Sequence, residues 1–188
     1  NLNGAVLISR LIADEDVRKK GSGNAGLTNF TRNYGSAKAI FVVFIDMGKA
    51  AISCLVGGLL LAPYGHYQEG VALGGLFVIL GHDFPALLGF KGGKGILSGV
   101  TVALCLDWRI GLGVFAIFLV AYFATQYVSL GSVLAAVTFV VGFVIFHHDN
   151  LLVMLCGVFM GALTVFMHRS NIVKLLRGKE RKTNLFKK

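Results

Sequence analysis

The sequence predicts an all-α protein, a polytopic integral membrane bundle of about seven transmembrane helices. Three observations carry that prediction. Of the 188 residues, 55% are hydrophobic and only 14% are charged, against about 25% charged in an average soluble domain. Mean hydropathy is +0.74. The apolar residues fall in runs of about 15 to 25 separated by short polar gaps, the length that crosses a hydrocarbon core of ~30 Å as a helix.

The apolar segments lie at residues 1–13, 38–62, 71–90, 95–106, 110–126, 129–146 and 150–167. The first begins on Asn1 without Met and makes an undersized span, so a helix truncated at its amino-terminal side is expected. The fourth is also short, and is expected to be steeply packed, re-entrant or joined to its neighbour. If these two do not cross, five spans remain, and the parity of crossings is unchanged. The chain reads as one domain over residues 1–188. No internal repeat and no cleavable signal peptide are visible.

Alternate crossings send residues 14–37, 91–94, 127–128 and the tail from 168 onward to one side. That side collects nearly every loop Lys and Arg; the opposite loops "PYGHYQEG", "DWR" and "HHDN" hold only Arg109. The positive-inside rule makes the first side cytoplasmic, with the amino terminus outside and the carboxyl terminus inside a cell membrane. Tyr64, Tyr67 and Trp108 then occupy the outer interface. The tail "NIVKLLRGKERKTNLFKK" places Ile172, Val173, Leu175 and Leu176 among cations and is expected to lie along the inner headgroups. The net charge of +9 is read toward anionic lipid or a phosphorylated substrate rather than nucleic acid, because the cations flank membrane runs.

Glycines four residues apart, such as Gly157 and Gly161, fit close helix packing. Cys54, Cys105 and Cys156 stand singly in apolar runs and read as small buried hydrophobes. Asp46 and Lys49 lie one helical turn apart inside a span, where isolated charges are expensive, so they are expected to pair with each other or a loop group. Arg10 is expected to snorkel or to face a polar pocket. His147, His148 and Asp149 are adjacent and read as a solvated turn rather than a metal site.

Three unusual segments share the cationic side. "GSGNAGLTNFTRNYG", residues 21–35, has glycines at dinucleotide-fingerprint spacing, but its flank "DEDVRKK" is charged where that fingerprint needs a buried strand. What the loop offers is Ser22, Asn24, Thr28, Asn29 and Arg32 among glycines, a density of donors that suits an anion cradle. "GHDFPALLGFKGGKG", residues 81–95, brackets Gly92 and Gly93 with Lys91 and Lys94. It lacks both the Walker A spacing and the Ser or Thr that would hold magnesium. "HRSNIVKLLRGKE", residues 168–180, follows the last apolar run with His168, Arg169 and Asn171.

Together these segments resemble the three signature motifs of the bacterial acyl-phosphate:glycerol-3-phosphate acyltransferases, in order, spacing and placement over nearly the whole chain. "IDMGKA" and "YVSLGSV" resemble further family segments. The chain departs from the pattern at "NLNG", where the family has a Gly-Ser-Ile-Pro-like turn, at Leu27 and at Ala50; none of these is a donor. The resemblance implies transfer of a fatty acyl group from acyl phosphate to the 1-hydroxyl of glycerol 3-phosphate, giving lysophosphatidate and phosphate. It implies catalytic roles for Ser22, Arg32, Lys94, His168 and Asn171. Substrate contacts fall to Asn24, Thr28, Asn29, His82, Lys91, Gly92, Gly93 and Ser129, with Gly92 and Gly93 adding backbone donors. The general base is left open between His168, His82 and a substrate phosphate oxygen. No cofactor or metal is expected. The resemblance also implies a functional link to a soluble enzyme that makes acyl phosphate. A transporter of a phosphorylated metabolite is the rival reading, weakened because all three segments fall on one side, whereas carriers place their site at the midplane.

Overall fold

The computed structural model describes residues 1–183, and every described regular element is helical. The final residues of the basic tail, 184–188, lie outside the described residues, so the headgroup expectation applies there untested. The helices are α1 (Gly4–Ala13), α2 (Leu27–Tyr34), α3 (Ser36–Leu61), α4 (Tyr67–Asp83), α5 (Ile96–Leu106), α6 (Trp108–Thr125), α7 (Val128–Phe146), α8 (Leu151–Met167) and α9 (Arg169–Leu176).

Four stretches are long and apolar enough to cross a membrane: Ser36–Tyr64, Tyr67–Leu88, Trp108–Thr125 and Val128–Phe146. A fifth is formed by α8 and α9 together, bent by 54° at their junction. Five is therefore the count that length supports. The two segments that looked short in the sequence are short: α1 has 10 residues and α5 has 11, about 15–16 Å of helix against ~30 Å of hydrocarbon. Only Asp107 separates α5 from α6, and α5 folds back on its neighbour so closely that a Cβ on Gly111 would lie 2.5 Å from the Leu104 side chain.

The α3–α4 pair is packed by backbone approach rather than by large side chains. Along the α3–α4 contact, a Cβ on Gly57, Gly70 or Gly74 would come within 2.2 Å of a carbonyl oxygen on the facing helix. Glycine permits that proximity, and dispersion over the touching backbones holds the pair. The main core runs through α3 to α8 and includes Ile79, Val102, Phe139, Phe143 and Met160. A second apolar cluster, including Ala5, Val17, Ala25, Phe30 and Val42, fastens α1, α2 and the first loop to α3.

Three local expectations change. Arg10 has a specific partner the sequence did not name: its Nη2 pairs with Asp16 Oδ2 at 3.1 Å. His147 is buried rather than solvated, stacked on Phe143 with Nε2 3.6 Å from Asp107 Oδ2, because the adjacent α6 start presents that carboxylate. Cys105 is exposed, unlike Cys54 and Cys156, which are buried as expected.

Candidate active site

Two polar clusters stand close together, and they differ in how completely their groups are satisfied. The first lies within the bundle. Asp46, 2% exposed, pairs with Lys49 at 2.7 Å, as the helical spacing predicts, and its Oδ1 also accepts from Gly4 N at 3.1 Å. Lys49 Nζ reaches His82 Nδ1 at 2.7 Å and Leu2 O at 2.7 Å, while Ser98 Oγ donates to the Asp46 carbonyl at 3.3 Å. The charges cancel and the cluster ties α1, α3, α4 and α5 together.

His82 thereby leaves the list of candidate bases. Its Nδ1 is taken by Lys49, and a Cβ on Gly93 would stand 2.0 Å from its Nε2, so the ring is packed against the glycine loop. The loop glycines also play a different part from the one expected. Gly92 N donates to Asp83 O at 3.2 Å and Gly93 N to His82 O at 3.0 Å, so neither N–H is free for a phosphate. A Cβ on Gly92 would lie 2.0 Å from the His82 carbonyl. These glycines are needed because the loop presses against the end of α4, which in turn fixes where Lys94 emerges. Asp83 is 1% exposed with neither carboxylate oxygen hydrogen-bonded, 3.3 Å from where a Gly95 Cβ would sit at the start of α5.

The second cluster gathers the three donor-rich segments. The first loop is organised by Asn29, whose Oδ1 accepts from Ser22 N at 2.9 Å and whose Nδ2 donates to the carbonyls of Val17, Lys20 and Asn24 at 3.0–3.1 Å. Asn29 is thus a brace, buried and fully engaged. Ser22 is exposed, Thr28 half-buried, and the Asn24 side-chain oxygen is buried without a partner. Arg18 joins this loop to the second, donating from Nη1 to Leu88 O at 2.7 Å and Lys91 O at 3.0 Å while Asp16 holds its other edge. Lys91 itself is exposed.

The 54° bend at His168 turns α9 back over the second loop, where Lys94 Nζ donates to Asn171 Oδ1. His168 is 4% exposed; its Nδ1 lies 2.8 Å from Thr164 O, and since a carbonyl only accepts, Nδ1 carries the proton and Nε2 is the acceptor nitrogen. Lys94 is within electrostatic reach of His168, Arg32 and Glu180. Burial, together with Lys174, Arg169 and Arg32, pushes its ammonium down to about 8, against the pull of Glu180. Arg32 Nε donates to Thr183 Oγ1 at 2.9 Å, and Nη2 donates to the same oxygen and to Arg181 O at 3.1 Å. Arg32 Nη1 makes no hydrogen bond among the described residues. Ser129, at the start of α7, is buried with its hydroxyl unpartnered.

Behind this cationic cluster runs a narrow apolar crevice between α4, α5, α6, α7 and α8, lined by Ile79, Gly99, Val114, Phe139 and Met160. Its wall includes Gly95 and Thr164, the residue after Lys94 and the residue that holds His168. Polar donors and an apolar slot therefore meet at one place. The sequence reading missed Arg18, Glu180 and Thr183. Asp16 and Arg18 were visible as an alternating charge pair, whereas nothing local marks Glu180 or Thr183 as partners of residues far up the chain.

Comparison with known proteins identifies the fold and the family. The family model for glycerol-3-phosphate acyltransferase matches residues 1–178. The glycerol-3-phosphate acyltransferase of Thermoanaerobacter sp. (strain X514) is 36% identical over 181 residues, 96% of this chain and 88% of that protein. That of Finegoldia magna is 36% identical over 182 residues, 97% of this chain and 89% of its own. The crystal structure of PlsY (YgiH), an integral membrane glycerol 3-phosphate acyltransferase, in its glycerol 3-phosphate form superposes with a TM-score of 0.82 at 31% identity, over 99% of this chain and 94% of that one. Its lysophosphatidic acid form gives a TM-score of 0.79 over 98% and 91%. This chain is an integral membrane acyltransferase and belongs to the glycerol-3-phosphate acyltransferase family.

Proposed function

We propose that the protein transfers a fatty acyl group from acyl phosphate to the 1-hydroxyl of glycerol 3-phosphate, releasing lysophosphatidate and inorganic phosphate. The observation that carries this reading is a cationic cluster, Arg32 with its Nη1 unengaged and Lys94 held by Asn171, next to an apolar crevice whose wall includes Gly95, the residue after Lys94. Both substrates are anions and one carries a long hydrocarbon tail. A site for them needs positive charge and an apolar slot in contact.

Acyl phosphate is a mixed anhydride with a good leaving group, so no covalent enzyme intermediate is required. The 1-hydroxyl oxygen attacks the acyl carbon, an ester C–O bond forms, and the bond to the bridging phosphate oxygen breaks with its electron pair leaving on phosphate. His168 Nε2 accepts the hydroxyl proton and returns it to the departing phosphate. Arg32 and Lys94 hold the phosphates and stabilise the charge that develops on the leaving group. Asn171 orients Lys94, Ser22, Asn24, Thr28 and Ser129 supply hydroxyl and amide contacts, and Lys91 adds charge at the rim.

The loop charges support a cytoplasmic placement for this face in a bacterial inner membrane, with the amino terminus outside and the carboxyl terminus inside. In that placement a soluble enzyme that makes acyl phosphate can deliver its product directly. The test is phosphate release by purified protein in lipid with palmitoyl phosphate, with and without glycerol 3-phosphate, lysophosphatidate being followed by mass spectrometry. Release that depends on glycerol 3-phosphate and matches lysophosphatidate supports the proposal. Phosphate release independent of the acceptor points to a hydrolase, and a folded protein with no turnover returns the transporter reading to the front.

A further inference from the structure

The last described residues reach the site from a direction that no motif announces. Thr183 is only 5% exposed. Its N–H donates to Gln126 O at 3.0 Å, and its carbonyl accepts from Tyr122 Oη at 3.1 Å. The last turn of α6 and the residue that closes it therefore grip the Thr183 backbone on both sides, and Gln126 adopts the left-handed conformation, φ 62°, as it closes α6. Held this way, Thr183 presents Oγ1 to Arg32, accepting from Nε at 2.9 Å and also from Nη2.

A guanidinium is a rigid planar fork of five N–H donors. Engaging Nε and Nη2 fixes its plane and leaves the Nη1 pair as the free end. Arg32 sits on α2, a helix of eight residues with no side-chain cap, and its long side chain has several rotamers to choose among. Losing that freedom before substrate arrives lowers the entropy lost on binding.

We propose that Thr183 is a positioning residue for acyl transfer: it sets the plane of Arg32 so that Nη1 meets the substrate phosphate, and the end of α6 sets Thr183. The proposal rests on the reading of Arg32 as a phosphate ligand. Neither Thr183 nor the end of α6 touches the reacting atoms; they act through the guanidinium.

The test is steady-state kinetics of the full chain in lipid, with glycerol 3-phosphate varied at saturating palmitoyl phosphate, beside thermal melting of each variant. Thr183→Val removes the hydroxyl and keeps the volume; KM for glycerol 3-phosphate rises about tenfold, in line with a hydrogen bond to a charged group, while kcat changes less than about twofold. Thr183→Ser restores the wild-type KM. Tyr122→Phe, which loosens the grip on Thr183 from the far side, raises KM by about threefold. Three results overturn the proposal: an unchanged KM in Thr183→Val, a lowered KM there, which would make the hydroxyl a competitor of substrate, or a Thr183→Ser as impaired as the valine variant, which would make the residue a packing group. Should Thr183→Val melt early, Tyr122→Phe decides. Arg32→Ala separates the two readings. Wild-type kinetics in that variant removes the ligand role itself, whereas a disabled Arg32→Ala beside a normal Thr183→Val removes only the positioning role.

Discussion

The two polar clusters are built from similar residues and differ in what they leave unfinished. Asp46, Lys49 and His82 form a set inside the bundle that is closed in charge, one carboxylate against one ammonium, with Gly4 N, Leu2 O and the His82 ring as further partners. Arg32, Lys94, His168 and Asn171 form an open set, with two cations facing a single carboxylate, Glu180, and with Nη1 of Arg32 and Nε2 of His168 unengaged among the described residues. A charge-balanced cluster in low dielectric ties helices together and has little net field to offer an anion. An open one keeps its field for an anion. The difference teaches that a charged residue within a membrane bundle is weighed by its unused valence, and a histidine beside a lysine is no catalyst by proximity alone.

The largest expected effect breaks the open cluster. Arg32→Ala or Lys94→Ala lowers turnover by more than about a hundredfold, with melting temperature within a few degrees of wild type, measured by lysophosphatidate formation and differential scanning fluorimetry. Breaking the closed cluster does the reverse. Asp46→Ala leaves Lys49 buried without its carboxylate and destabilises the protein by about 3–5 kcal/mol, while the fraction that remains folded retains most of its activity per molecule.

Next comes a change confined to the crevice. A Cβ on Gly99, which lines the crevice, meets no atom within 4 Å, so Gly99→Leu places apolar bulk at the wall of the slot. It is expected to lower kcat/KM for palmitoyl phosphate by about tenfold, a few buried methylenes of lost contact, and to affect a short-chain acyl phosphate less. The smallest effect is a pH dependence. Burial depresses the Lys94 ammonium to about 8, so binding of glycerol 3-phosphate to the free enzyme weakens as pH rises through 8. Stability moves the other way: between about pH 8 and 10.5 the unfolded chain binds more protons at this position than the folded one, so unfolding becomes less favourable as pH rises across that window. A melting series over pH 8–10 on wild type and Lys94→Met, without substrate, isolates that contribution.

Much of this was legible in the sequence because membranes impose simple rules. Run length and hydropathy gave an all-helical bundle, loop charge gave three segments on one side, and the spacing of Asp46 and Lys49 gave their pairing. Helix ends were less legible: α4 starts at Tyr67, four residues before the apolar run, because Glu69 is satisfied at the interface by Asn150 Nδ2 at 3.0 Å. The role of Gly92 and Gly93 was misread because a double glycine between lysines looks alike whether its backbone approaches a phosphate or the end of α4. His147 was misjudged because its partner, Asp107, lies forty residues away in sequence, at the start of the neighbouring helix rather than in its own loop. Thr183 was invisible for the same reason. Its bond to Arg32 joins positions 151 residues apart, and no period or motif encodes a contact of that range.

The proposed mechanism makes the open cluster, and not the closed one, the receiver of glycerol 3-phosphate. Equilibrium binding of labelled glycerol 3-phosphate to wild type, Lys94→Ala and Lys49→Met, each checked for folding by melting, tests it most directly. Binding is expected to be lost in Lys94→Ala and to survive in the folded fraction of Lys49→Met. Wild-type affinity in a folded Lys94→Ala, with binding lost in a folded Lys49→Met, would contradict it.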